Sequence, residues 1–538
     1  FVFWQLQDEQ LKLDPDREME TTLDLGLQKE IEGIIERHLE TLAKQNVTNA
    51  AVVVLDAKNG EVLSMVGSAD YFDAEHDGAV NAALSPRQPG SALKTFTYAL
   101  AMSRGGTAAT TVADIETQFF TQSGNPYIPR NYDYGYHGLV RYREALANSF
   151  NIAAVKVLEK VGVQSLLEFL RSAGIETLTQ SPDHYGLALT LGDGEVKLLE
   201  LAQAYAIFAR GGKTLPVRTL KNLQSLPTGV REAAQAGPEG SQILDPRVAW
   251  LIADILSDPE ARAQEFGTDS PLTFDRPVAA KTGTTRNSRD NWTIGFTPER
   301  IVGVWVGNMD NSPMKDTSGI TGAGPIFHDA MLASLRGIPP SNFVRPSGIK
   351  DVTICRLSGL LPSKYCPQKI QEWFIDGTEP TKEDDLYRQV SIDKRNGLLG
   401  DGCPAPHAEP RVFAFFPSEL KTWARENGWK QPPTTQSPLC TTSASSSEIL
   451  KTWITIERPH AGDSFLLDPM IPDESERIIF LANGSDDLDA AEWFVDGKSV
   501  GIASAPSFRF ELQPSVGTLR VELRAKGVRD ERTIHVTK

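Results

Sequence analysis

Arg87-Gln-Pro-Gly-Ser-Ala-Leu-Lys-Thr-Phe96 sets a serine and a lysine three residues apart just after a break in the chain. Pro89 and Gly90 supply the break. From Ser91 the apolar residues Leu93, Phe96, Leu100 and Met102 recur near helical spacing. The pattern predicts a helix with Ser91 in its first turn and Lys94 on the same face. A serine hydroxyl becomes a nucleophile when a base takes its proton. A lysine serves as that base only when burial or cationic neighbours pull its pKa down. The N–H groups and positive dipole end of a helix start favour negative charge beside the nucleophile.

The spacing alone is weak evidence, because it occurs five times: Ser91/Lys94, Ser312/Lys315, Ser347/Lys350, Ser391/Lys394 and Ser418/Lys421. Pro313 interrupts the second and Gly348 the third, and the fourth follows a charged, irregular stretch. Ser418/Lys421 sits in a helix-like run but lacks companions. Ser91 has them: Ser149-Phe-Asn151 begins 58 residues downstream, and Lys281-Thr282-Gly283-Thr284 begins 190 downstream. Ser149 falls at the seam between helical runs at 143–148 and 152–163, where short polar side chains can project into a cleft. Ser123-Gly-Asn125 is a second Ser-x-Asn, with no helix to position it. Taken singly, Ser149 reads as a helix cap, Asn151 as a turn residue and Lys281 as a surface lysine. Taken together they read as a site.

Around this stretch the pattern is α+β. Asp24 is a good N-cap for a helix carrying Leu27, Ile31, Ile34, Ile35, Leu39 and Leu42. Residues 50–56 and 61–67, joined through Asn59-Gly60, read as a β-hairpin. Residues 104–141 lack periodicity and include the aromatic stretch Asn131-Tyr-Asp-Tyr-Gly-Tyr-His-Gly138, either a groove lining or a packed connection. Helices follow at 196–210 and 246–256, then strands at 277–283, 292–296 and 301–307 and a closing helix at 323–335. Sequential hairpins make an antiparallel sheet, so the expected architecture is an antiparallel sheet flanked by helices.

Beyond residue 340 the character changes. Residues 345–445 hold 11 of the 34 prolines and all four cysteines, which predicts a connector with little regular structure. Candidate strands then follow at 453–456, 477–481, 491–495, 507–512, 519–523 and 533–536, and six or seven strands in this length predict an immunoglobulin-like β-sandwich. The expected organisation is a linker at 1–20, a catalytic domain at 21–340, a Cys-containing connector at 341–447 and the sandwich at 448–538.

Composition narrows the function. The net charge of −16 offers no basic field for phosphates and argues against a nucleic-acid partner. No apolar run is long enough to span a bilayer. Phe1-Val-Phe-Trp4 followed by charged residues does not read as a signal peptide but as a truncated start. Cys355, Cys366, Cys403 and Cys440 point to two disulfides in an oxidising compartment, with three connectivities open. Reduced thiols or a zinc site are the alternatives, although gaps of 11, 37 and 37 residues suit zinc poorly.

Ser91-x-x-Lys94, Ser149-x-Asn151 and Lys281-Thr-Gly283 form the motif set of penicillin-binding proteins and class A β-lactamases. The chain resembles the serine penicillin-binding proteins, and the surroundings resemble their bifunctional class A branch. Thr21-Thr-Leu-Asp24, Arg87–Lys94 and Asn131-Tyr-Asp133 with Tyr136 and Gly138 carry that likeness, and the last resembles the branch's substrate-side loop. The connector and sandwich are similar to the penicillin-binding protein 1C subgroup. The likeness implies a D,D-transpeptidase without metal or cofactor. Ser91 would be acylated by a D-Ala-D-Ala stem peptide, with Lys94 as base. Ser149 would relay a proton, Asn151 would bind the substrate amide and hold Lys94, and Lys281 would supply positive potential. Thr282 and Thr284 would hold the terminal carboxylate. Gly283 would let substrate lie along the strand. The N–H groups of Ser91 and Thr284 would form the oxyanion hole. β-Lactams would trap Ser91.

The likeness also implies an upstream membrane anchor and glycosyltransferase domain, a place on the periplasmic face of a bacterial inner membrane, and a periplasmic α2-macroglobulin-like partner for the sandwich. A serine β-lactamase fits less well. Phe150 stands where class A β-lactamases carry Asp, and no glutamate base is evident. A D,D-carboxypeptidase and a non-enzymatic β-lactam sensor or scaffold stay open.

Overall fold

The computed structural model describes residues 20–120, 126–221, 240–285, 288–440, 453–459, 462–466, 477–485, 488–505 and 508–537. They fall into two compact units. One comprises 1–112, 141–352 and 371–379; the other comprises 113–140, 353–370 and 380–538.

The first unit is built on five strands: β1 Asn49–Asp56, β2 Val62–Val66, β3 Ala279–Thr284, β4 Asp290–Phe296 and β5 Arg300–Gly307. Their order is β2-β1-β5-β4-β3, and every pairing is antiparallel. The predicted strands therefore form, within one or two residues at each end, and the Lys281 strand lies at the sheet edge. Helices cover both faces, so β1, β4 and β5 are buried nearly throughout. Against one face pack α1 Leu25–Leu42 and α9 Gly324–Ser334, through Ile31, Ile34, Ile35, Phe327 and Ala330 onto Val52, Val54, Val302 and Val304. Asp24 caps α1 by accepting a 3.0 Å bond from the Leu27 N–H. Against the other face lies α6 Leu198–Ala209, whose Leu198 approaches the sheet so closely at Gly303 that a Cβ there would stand 2.9 Å from its Cδ1.

Between β2 and β3 the chain also forms α2 Lys94–Ser103, α3 Tyr142–Ala147, α4 Asn151–Val161, α5 Val163–Ser172, α7 Pro246–Ser257 and α8 Pro259–Phe266. The Ser91 stretch departs from expectation. Gly90–Leu93 is a 3₁₀ turn and the α-helix begins at Lys94, so Ser91 precedes the α-helix. Gly90 takes φ +56°, which a left-handed entry demands. Ser123-Gly-Asn125 lies outside the described residues.

In the second unit, the stretch expected to be irregular contains strands. Tyr387–Asp393 pairs antiparallel with Ala408–Ala414, from Tyr387 opposite Ala414 to Asp393 opposite Ala408. A two-stranded ladder leaves each strand a free edge, and an edge tolerates Pro410 inside a strand. Disulfides join Cys355 to Cys366 and Cys403 to Cys440, so no thiol is left for zinc. The aromatic loop is pinned inside this unit: Asn131 Nδ2 donates to Asp114 Oδ2 at 2.6 Å, and His137 Nδ1 lies 2.7 Å from the same oxygen. Tyr132 and Tyr134 remain exposed.

The C-terminal part is sheet-rich. Ile454–Arg458, Ile478–Gly484 and Phe510–Leu512 form one sheet. Ser464–Leu466, Val528–Thr537, Gly517–Ala525, Ala490–Val495 and Lys498–Ser504 form another, in that order across it. Trp493, Phe480, Phe508, Val521 and Ile534 share one core. Ser464–Leu466 and Lys498–Ser504 are strands the sequence pattern does not predict, although Asp496-Gly497 just before the latter carries a turn signal. No described helix is long and apolar enough to cross a membrane.

Candidate active site

The site assembles where the start of α2, the seam between α3 and α4, and the edge strand β3 meet. Aromatic packing fixes the first piece. Phe96 meets Tyr205 edge-on at 5.3 Å, and the Tyr205 hydroxyl donates to the Ala92 carbonyl at 2.6 Å. Burial pushes the Tyr205 phenol above its ordinary range, so it stays neutral and holds that bond. Trp292 Nε1 of β4 donates to the Gln88 carbonyl at 2.7 Å.

The turn then meets β3 backbone to backbone. A Cβ on Gly90 would stand 2.6–2.9 Å from the O, N and C atoms of Thr284, and one on Gly283 would stand 2.2 Å from the Pro89 carbonyl. Gly283 was expected to clear space for substrate. In the structure the turn at Pro89 already takes the space a side chain would use.

The seam supplies the centre. Asn148 is gripped by α8: its Nδ2 donates to the Ala261 carbonyl at 2.7 Å, and its Oδ1 accepts from the Glu265 N–H at 3.0 Å. Ser149 follows with φ +62°, an uncommon conformation for a residue with a Cβ and typical of a functional position. Asn151 is the first residue of α4.

Two lysines converge on Ser149. Lys94 is 0% exposed, and its Nζ donates to the Ser149 carbonyl and Asn151 Oδ1, each at 2.5 Å, with Ser149 Oγ at 3.3 Å. Lys281 is 2% exposed, and its Nζ lies 2.7 Å from Ser149 Oγ and 3.0 Å from the Thr282 carbonyl. Burial pulls the Lys281 amine down to about 7, against an opposing pull from the Glu265 carboxylate. Near neutral pH the amine is therefore divided between charged and neutral forms.

Strand alternation separates the remaining residues. Lys281 and Gly283 face Ser149 and Pro89, whereas Thr282 and Thr284 face the turn at Gly319, whose N–H donates to Thr284 Oγ1 at 2.9 Å. Thr282 is buried and Thr284 half-buried. All eight sequence-predicted residues thus lie in one unit, with Ser149 bridging the two lysines. Three contributors escaped the sequence reading: Tyr205, Glu265 and Gly192, whose own Cβ would fall within 2.2–2.5 Å of Gly90 backbone atoms. Nothing local marks any of them, because each acts across a long stretch of chain.

An antiparallel sheet edged by Lys-Thr-Gly and faced by a Ser-x-x-Lys turn and a Ser-x-Asn seam defines the penicillin-binding transpeptidase fold. The chain belongs to the penicillin-binding protein transpeptidase domain family, whose model matches residues 50–332. Residues 345–389 match the penicillin-binding protein 1A C-terminal domain, and residues 449–534 match the penicillin-binding protein C-terminus family. Penicillin-binding protein 1C of Escherichia coli is 30% identical over 75% of this chain and 51% of its own length. Penicillin-binding protein 1A of Aquifex aeolicus is 33% identical over 65% and 46%. The chain thus spans about half the length of these curated relatives. Among solved structures, penicillin-binding protein 1A of Haemophilus influenzae superposes with a TM-score of 0.59 at 21% identity, covering 71% of this chain and 76% of that one. PonA1 of Mycobacterium tuberculosis in complex with penicillin V gives 0.53 at 21%, covering 64% and 95%.

Proposed function

We propose that the chain is a peptidoglycan D,D-transpeptidase working through a Ser91 acyl-enzyme, and that β-lactams acylate the same serine. The observation that carries this reading is the bonding of Lys94. Its Nζ is held by the Ser149 carbonyl, Asn151 Oδ1 and Ser149 Oγ, which fixes a fully buried amine three residues from Ser91, where in its neutral form it takes the serine proton.

Ser91 Oγ attacks the carbonyl carbon of the penultimate D-Ala as its proton passes to Lys94 Nζ. The N–H groups of Ser91 and Thr284 receive the oxyanion. The C–N bond to the terminal D-Ala breaks, and that nitrogen takes a proton through Ser149 from the lysine pair. Asn151 binds the substrate amide, Thr284 and Thr282 hold the departing carboxylate, and Lys281 provides positive potential. The amine of a second stem peptide then attacks the ester. Its proton returns Ser91 to the hydroxyl form, and the new amide is the crosslink.

Further readings rest on the family alone. The functional division is a linker at 1–20, the transpeptidase domain at 21–340, the connector at 341–447 and an immunoglobulin-like sandwich at 448–538. The matches at 50–332, 345–389 and 449–534 fall within its last three parts, and residues 1–19 of the linker lie outside the described residues. The whole protein is a membrane-anchored periplasmic synthase with a glycosyltransferase activity. Its C-terminal module docks a periplasmic protein of the α2-macroglobulin type.

Intact mass after incubation with a reporter penicillin, beside Ser91→Ala, tests the nucleophile. A stable adduct on the parent that is absent from the variant is expected; a parent with no adduct sinks the reading. Supplied stem peptides then separate transpeptidase from the alternatives. Crosslinked dimer marks the transpeptidase, release of D-Ala without dimer marks a carboxypeptidase, and acylation by penicillin with no peptide turnover marks a sensor.

A further inference from the structure

Ser149 takes its place from α3, and α3 has only six residues. A helix that short does not hold itself together in water. Its first turn is fastened by charge. Arg141 and Arg143 flank the helix start, both buried, and both reach one carboxylate, Glu372, which is 1% exposed. Arg141 Nη1 donates to Glu372 Oε2 at 2.8 Å. Arg143 donates through Nε to both Glu372 oxygens at 2.9 and 3.0 Å and through Nη2 to Oε1 at 2.7 Å.

The same guanidinium of Arg143 also ties down α8. Its Nη2 donates to Asp254 Oδ2 at 2.6 Å and its Nη1 to Asp258 Oδ2 at 3.2 Å. Asp258 is the N-cap of α8, accepting from the Glu260 and Ala261 N–H groups at 3.0 and 3.1 Å. The α8 helix is the one that grips Asn148 and carries Glu265, whose charge acts on Lys281. One buried cation therefore ties α3 to α7 and α8, the last of which grips Asn148 beside Ser149, and its most enclosed counter-charge is Glu372. Burial works against the Arg143 charge, and the Glu372 and Asp254 carboxylates outweigh it.

Glu372 lies on the strand Lys369–Ile375, beyond the closing helix α9. Trp373 beside it stands edge-on to Trp250 of α7 at 5.6 Å, which seats this short segment on the first unit. We propose that Glu372 is a positioning residue for the acylation of Ser91: through Arg143 it fixes α3 and α8, and with them the placement of Ser149 between Lys94 and Lys281. The proposal rests on the Ser91 acyl-enzyme reading. It gives the connector a part in the chemistry, although none of its residues belongs to the three motifs.

Replacing Glu372 by glutamine removes the charge and leaves Asp254 and Asp258 as the carboxylates facing Arg143. A displacement of about 1 Å at a catalytic group costs up to about 100-fold in rate. The test uses the whole 538-residue chain. Acylation by a reporter penicillin is followed over time, and the non-covalent dissociation constant is separated from the acylation rate constant.

Glu372→Gln is expected to lower the rate constant about 10- to 100-fold, with the dissociation constant within about twofold and labelling still stoichiometric at the end point. Glu372→Asp, which keeps the charge on a shorter side chain, is expected to acylate at a rate between those of Glu372→Gln and the parent. Asp376→Asn on the same segment, beside Lys350 and outside the network, is expected to match the parent.

A folded Glu372→Gln variant acylated at the parental rate overturns the proposal. So does a loss that appears only as fewer labelled molecules, since that is a folding defect. If Glu372→Gln does not fold, Glu372→Asp decides: its shorter side chain is expected to slow acylation measurably at full stoichiometry, and a parental rate overturns the proposal. A parent that never forms an adduct fails the Ser91 reading and takes this proposal with it. A parent that acylates while Glu372→Gln is unchanged fails the positioning role alone.

Discussion

Two turns in this molecule share a plan and differ in consequence. Pro89-Gly90-Ser91-Ala92-Leu93-Lys94 and Pro417-Ser418-Glu419-Leu420-Lys421 each place a proline ahead of a Ser-x-x-Lys. Each forms a 3₁₀ turn that becomes an α-helix at the lysine. At the first, Lys94 is fully buried against Ser149 and Asn151. At the second, Lys421 is half-buried and lies within a unit that contains neither the Ser149 seam nor the Lys281 strand. The local geometry of a serine and a lysine is therefore cheap. Chemistry comes from what distant stretches bring against them, and from Gly90, whose left-handed backbone lets the first turn press on β3.

The largest expected effect is at Ser91, the proposed nucleophile. Ser91→Ala should abolish the penicillin adduct in intact mass, with the melting temperature near that of the parent. Lys94→Met comes next. General-base contributions are worth about 10²- to 10⁴-fold, and acylation rate constants should fall by that order. The same substitution also removes the Lys94 donor from the Ser149 carbonyl and Asn151 Oδ1. A Lys94→Met variant acylated at the parental rate would move the base elsewhere, Lys281 being the nearest amine to Ser149 Oγ.

Gly90→Ala probes the contact that distinguishes the two turns. The added methyl meets the Thr284 backbone at 2.6 Å, in a backbone region that L-residues avoid. Such strain costs about 1–3 kcal/mol. Lower thermal stability should accompany slower acylation, because relief of the clash pushes Ser91 away from β3. Unchanged stability and rate would mean that the approach of turn to strand is looser than the structure has it.

Much of this contrast was legible in the sequence, and its limits are physical. The central strands were readable because a sheet covered on both faces shows continuous apolar runs, as in Ala50-Ala-Val-Val-Val-Leu55, and because Asn59-Gly60 marks the hairpin. The eight motif residues could be singled out because three short motifs recur together only around Ser91. The connector strands could not, since short two-stranded ladders of mixed burial show no clean alternation, and one strand, Ala408–Ala414, carries Pro410 inside it. Nor could the left-handed backbone of Ser149, the charge of Glu265 on Lys281, or the grip of Glu372 on Arg143. Each joins residues far apart in the chain and depends on the finished packing.

A smaller effect should appear in pH dependence. Burial holds the folded-state amine of Lys281 at about 7, against 10.5 for an unperturbed lysine. Between those values the unfolded chain binds a proton that the folded chain does not. Stability from this group therefore rises with pH from about 7 to 10.5 and levels off above. Lys281→Met removes the titration. Plotted against pH, the stability difference between parent and variant should move in favour of the parent across that window and stay flat below it. A flat difference throughout would mean that Lys281 keeps its proton when folded.

The smallest expected effect is none, at the second turn. Ser418→Ala and Lys421→Met alter a motif with the same spacing, the same leading proline and the same passage from 3₁₀ turn to α-helix. If the pair in isolation were enough, penicillin would label Ser418 slowly beside Ser91, and peptide mapping of the labelled parent would find two modified sites. Because Lys421 is half-buried and no Ser-x-Asn seam is described in its unit, Ser418 should lack a fully buried base. One site, lost entirely in Ser91→Ala and untouched in Ser418→Ala, would place the selectivity in the tertiary surroundings. A second adduct on Ser418 would return it to the Ser-x-x-Lys turn and weaken the roles of Ser149, Asn151 and Lys281 in activating the nucleophile.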